Sequence, residues 1–186
     1  MIIELFGIEI NWPSQILGLI GCAFCIYSFF LNEKHKFLFY CTIGYLFCIG
    51  EAVLLLFTGN NTYANIIATV IAVIRNILMY IFLNKGKEVP MYIGIVFTLL
   101  IWLTAIPFYS EWYTFIPPLA MTITTVALIF KNFILTKAAN VVFELLYVTY
   151  GIVVGAYSGI IRDGFGLITA IISIVLYIKE SKKDER

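Results

Sequence analysis

Residues Ala64–Lys87, ANIIATVIAVIRNILMYIFLNKGK, form an almost unbroken apolar run with Arg75 and Asn76 near its middle. Apolar runs of about 17–25 residues cross a bilayer as a helix. A guanidinium at that depth costs at least ~2.5–3.5 kcal/mol on insertion scales, so Arg75 needs compensation from another span. The remaining sequence repeats the pattern: 62% of the 186 residues are hydrophobic and 12% charged. A soluble domain carries about 25% charged residues, so lipid must be the solvent for most of this surface.

Seven spans are expected, at 15–32, 37–57, 62–84, 90–108, 115–134, 138–157 and 164–180. The breaks between them carry turn chemistry: NEKHK at Asn32–Lys36, TGNN at Thr58–Asn61, NKGKEVP at Asn84–Pro90, YSEW at Tyr109–Trp112, LTK at Leu135–Lys137 and SGIIRDG at Ser158–Gly164. Pro13, Pro90 and Pro117 fall near span starts, where a missing N–H costs little. Lys34, Lys36, Lys85, Lys87, Lys131, Lys137 and the KESKKDER tail fall on one side of these spans, against Arg162 beside Asp163 on the other. The positive-inside bias then puts the N-terminus outside and the C-terminus in the cytoplasm. The first residues lack a basic region and carry Glu4 and Glu9, so a cleaved signal peptide is not expected.

A faint repeat organises the spans. Phe29–Gly50 lies over Phe130–Gly151, matching Lys36 with Lys137, and Thr69 meets Thr169 after a one-residue slip. Four spans separate equivalent helices, so both triplets enter the membrane in the same direction. The expected fold is all-α: an extracytoplasmic segment 1–14, a three-helix bundle 15–84, a linker helix 90–108, a parallel three-helix bundle 115–180 and a cytoplasmic tail 181–186.

Three stretches, QILGLIGCAFCIYSF, GNNTYANIIATVIAVIRNILMYIF and TTVALIFKNFI, resemble the YgjV-type bacterial inner-membrane proteins, and the resemblance covers the whole chain. The 3+1+3 layout is similar to that of the SWEET sugar transporters and the nicotinamide riboside transporters. That likeness is architectural: there is no Pro-Gln dipeptide and no tryptophan-rich substrate motif. It implies transport without naming a substrate.

Counting at 1.5 Å per residue, Arg75 and Glu144 both lie roughly 3–5 Å from their span centres on the cytoplasmic side. Glu144 is therefore the expected partner of Arg75, across the seam between the triplets. Arg75, Glu144, Asn140, Asn76 and Ser173 are the expected substrate-binding groups, and Glu51, Asn65, Lys131, Asn132 and Thr169 the expected pathway lining. One acid and one base at the centre suit a small neutral or zwitterionic solute moved by alternating access. The competing reading is a non-transporting accessory or lipid-interacting protein in which Arg75–Glu144 is a structural clamp.

Enzymatic chemistry is not expected: the one histidine, His35, sits in a loop, and the acids within spans are isolated from one another. Cys22, Cys25, Cys41 and Cys48 lie in apolar runs, where cysteine acts as a small hydrophobe, and no metal or cofactor is expected. The expected partners are a small-molecule solute and membrane lipid, with a homo-oligomer compatible with the pattern. Nucleic acid is not among them, because the charges form no patch.

Overall fold

The structure is a computed structural model. It describes residues 2–5, 8–57, 63–108, 111–130, 132–154 and 157–184, with side chains over 12–54, 57, 66–107, 111–130, 132–150, 152–153 and 160–179. Seven helices dominate: α1 Trp12–Phe29, α2 Lys34–Leu56, α3 Tyr63–Asn84, α4 Met91–Ala105, α5 Ile116–Ile129, α6 Phe133–Val154 and α7 Tyr157–Asp184. Single 3₁₀ turns, Ile106–Phe108 and Trp112–Phe115, join α4 to α5. The all-α expectation needs one correction. Strands β1 Ile2–Leu5 and β2 Ile8–Asn11 pair antiparallel ahead of α1, with Ile3 opposite Ile10. The apolar–polar alternation of Ile8-Glu9-Ile10-Asn11 is a strand period, too short to compete with the helical runs.

Among the described residues, six helical segments are long and apolar enough to cross a membrane: Trp12–Phe29, Lys34–Leu54, Ile66–Asn84, Trp112–Ile129, Phe133–Tyr150 and Ile160–Lys179. The seventh, α4, has 15 residues and rises ~22 Å, short of the ~30 Å hydrocarbon core. Outward apolar side chains such as Leu19, Leu103, Ile168 and Val175 are exposed, as a lipid-facing surface requires.

Helix ends follow local chemistry. Pro90 caps α4 in extended conformation, and Pro117 and Pro118 stand in the first turn of α5. After α3, Gly86 sits at φ +66°; its N–H donates to the Leu83 carbonyl and that of Lys87 to the Phe82 carbonyl. These two bonds make a Schellman cap, and the left-handed position in it favours glycine. The break expected at Leu135–Lys137 lies instead at Phe130–Asn132. Lys34 Nζ takes the Leu128 and Phe130 carbonyls at 2.7 and 2.6 Å and so closes α5, while Asn132 Oδ1 accepts the Ile134 N–H and opens α6. The loop expected at Ser158–Gly164 is helical, forming the start of α7.

Consecutive helices pack against one another, α7 returns to α1, and α3 also touches α5, so the seven form a closed ring. A core at one end joins Phe29, Phe37, Met79, Val89, Ile93, Leu128 and Phe133, packed by Tyr177. These residues come from the ends of α1, α3, α5 and α7 and the starts of α2, α4 and α6. The helices therefore alternate in direction and their lysine-bearing ends gather at this one end.

Candidate functional site

Arg75 is buried, 3% exposed. Its Nε and Nη2 donate to Asn76 Oδ1 at 3.1 and 2.9 Å, and its Nη1 donates to Thr125 Oγ1 at 2.7 Å and to Thr124 Oγ1 at 3.5 Å. Both threonines pass their own protons back to Met121 O in α5. The guanidinium thus ties α3 to α5 through neutral oxygens. The expected ion pair with Glu144 does not form. Glu144 turns to a different set of neighbours, because α6 meets α7 along the face that holds it.

That face borders a cavity of about 100 Å³ inside the ring, room for several waters or a small solute. Helical spacing brings residues of every helix but α4 to it: Cys22, Cys25, Ile26 and Phe29 from α1; Tyr45, Cys48 and Glu51 from α2; Thr69 and Ala72 from α3; Met121 from α5; Phe143, Glu144 and Tyr147 from α6; and Arg162, Asp163 and Gly166 from α7. Three carboxylates and one guanidinium therefore share a small space. Arg162 Nε donates to Asp163 Oδ1 at 2.9 Å, and its Nη1 lies 3.5 Å from Glu51 Oε2. Glu144 is 9% exposed and has neither a hydrogen-bond donor nor an ion-pair partner among the described residues.

Two glycines make room for the acids. A Cβ on Gly18 would stand 2.6 Å from the Glu51 carboxyl, and one on Gly166 2.7 Å from Glu144 Oε2. Each carboxyl lies flat on the neighbouring helix where only glycine leaves space. Phe143 and Tyr147, with ring centroids 4.5 Å apart, form an aromatic wall beside Glu144.

Of the expected site residues, Glu51 and Glu144 line this cavity. Arg75 and Asn76 bond to each other behind it. Asn140 donates to the Thr136 carbonyl within α6, Thr169 to the Phe165 and Gly166 carbonyls within α7, and exposed Asn132 caps α6. Ser173 accepts from Lys137 Nζ at 2.7 Å and donates to the Phe29 carbonyl, which also accepts from Lys137 at 2.6 Å. Lys131 and the side chain of Asn65 lie outside the described residues. In the sequence, Arg162 and Asp163 read only as charges of an outer loop and not as site residues. Their signal was the continuous stripe Asp163, Gly166, Ala170, Ser173, spaced three, four and three, that carries the α7 period through SGIIRDG.

A ring of apolar, alternating helices around an ionisable cavity defines a polytopic membrane protein with a polar interior. The chain belongs to the Imp-YgjV family, bacterial inner membrane proteins, whose family model matches residues 12–181. It is accordingly a multi-pass protein of the bacterial inner membrane. Neither a curated protein nor a solved structure matches the chain.

Proposed function

We propose that this protein is a carrier or facilitator that moves a small polar solute through the ring by alternating access. The observation that carries the reading is the cavity itself: four ionisable side chains from α2, α6 and α7 converge within a bundle whose outer surface is apolar. Such groups are costly at membrane depth and mark solute or ion pathways. The conformation also suits one stage of such a cycle. Toward the lysine end the cavity has Phe29 as its floor, and below it Phe37 stacks on Phe29, Phe133 packs edge-on against Phe37 and Tyr177 against Phe133. At the other end Arg162 is 37% exposed and marks an opening. By the lysine distribution, that opening faces the extracytoplasmic side, with α4 and its 3₁₀ extension as the seventh crossing.

Support for two like halves comes from the lysines. Lys34 at the start of α2 caps α5, and Lys137 in the first turns of α6 caps α1. At the level of helices the two contacts exchange under the correspondence α1 with α5 and α2 with α6, while Lys36, which the repeat aligns with Lys137, pairs with Glu33.

The test is a melting-temperature screen of the purified protein over nucleosides, vitamins, sugars and amino acids, followed by uptake of the stabilising solute into proteoliposomes. Binding to the folded state raises the melting temperature by mass action. Saturable stabilisation by one class, with uptake above protein-free vesicles, is the expected result. No stabilisation and no uptake across the screen would overturn the reading.

A further inference from the structure

We infer that the solute carries a cationic nitrogen, and that Glu144 is the group that receives it. The inference rests on the carrier reading and adds to it the chemistry of the substrate.

The charges around the cavity do not balance. Arg162 is shared between Asp163 and Glu51, at 2.9 and 3.5 Å. Arg75, a guanidinium buried outside the cavity lining, spends its donors on Asn76, Thr124 and Thr125. Glu144 is left over: nine-tenths buried, bordering the cavity, and without donor or counter-ion among the described residues. A buried carboxyl without a partner ionises only when a cation arrives to pair with it, so Glu144 is a receptor for the missing positive partner. The expectation of a near-neutral site relied on pairing Arg75 with Glu144, and three carboxylates against one guanidinium replace it with an acidic site.

The walls fit the same ligand. Phe143 and Tyr147 beside Glu144, with Tyr45 from α2, line the cavity with aromatic rings, which attract an ammonium group. A cavity of about 100 Å³ suits a compact amine rather than a nucleoside. A carboxylate-bearing solute without a cation would meet net repulsion here.

Three probes of nearly equal size separate the possibilities: ethanolamine, ethylene glycol and glycolate, titrated against the purified protein at neutral pH with melting temperature as readout. Ethanolamine is expected to stabilise saturably and the other two not. Glu144→Gln is expected to melt as the unliganded protein does and to bind ethanolamine about 10–100-fold more weakly, the range for losing a charged hydrogen bond. Glu144→Asp, which keeps the charge, is expected to retain a measurable shift. Should Glu144→Gln fail to fold, the decision passes to wild-type protein: ethanolamine, and not ethylene glycol, is expected to protect Cys48 from alkylation. No ethanolamine shift, an equal shift with ethylene glycol or glycolate, or an undiminished shift in Glu144→Gln would overturn the assignment. Uptake of a solute lacking a cationic nitrogen would leave the carrier reading standing without it, whereas absence of uptake across the whole screen removes the carrier reading itself.

Discussion

Arg75 shows what a single residue in hydrocarbon demands. Its burial was legible in the sequence, because a guanidinium nine residues from the end of its helix cannot reach water comfortably. Its partners were not. The search for a counter-charge favoured Glu144 at similar depth, whereas the fold supplies neutral acceptors from Asn76 and from the Thr124–Thr125 pair. Hydroxyls and amides at helix interfaces read as ordinary small polar residues, and only the crossing of α3 and α5 aims them at the same group. Asn76 accepts two of the guanidinium's bonds, so Asn76→Ala is expected to cost ~1–3 kcal/mol of stability, seen as a lower melting temperature in detergent, and Thr125→Val somewhat less. Ligand affinity of the folded protein is expected to stay within about twofold, since neither residue borders the cavity. Unchanged melting with lost binding would place Arg75 in the site after all.

At the scale of helices, type was readable and ends were not. All seven expected spans are helices, because their apolar runs exceed anything a loop tolerates. Ends shifted where tertiary contacts terminate the chain: α5 stops at Ile129 because a lysine from α2 takes its last carbonyls, and α7 starts at Tyr157 because Asp163 and Gly166 belong to its buried stripe. Packing between α1 and α2 depends on Gly21 and Gly44. A Cβ on either would lie 2.8 Å from the other's carbonyl oxygen, so the two backbones are in direct contact. Neither neighbour can rotate away. Gly44→Val is therefore expected to destabilise by ~1–3 kcal/mol or more, with low accumulation in the membrane as the companion readout. Normal yield and melting would show that the helices do not approach so closely.

Across the whole molecule, half of the candidate site was visible in the sequence. Glu51 and Glu144 stood out as acids inside apolar runs. Arg162 and Asp163 did not, because two adjacent opposite charges among glycines look like an extracellular turn, and only a ring closed by α7 against α1 turns them inward. Nor did the sequence show that Lys34 and Lys137 would reach across to cap α5 and α1. The resulting shape is asymmetric: aromatic rings and lysine caps at one end, a half-buried guanidinium at the other. Cys22 and Cys48 border the cavity between them and serve as native reporters. The most direct measurement is alkylation of these two thiols, in a Cys25→Ala/Cys41→Ala variant, by a membrane-impermeant reagent applied to one face of the bilayer at a time. Rapid modification from the extracytoplasmic face and slow modification from the cytoplasmic face is the result expected. Thiols that react from neither face, or faster from the face bearing the lysines, would contradict a solute route opening past Arg162.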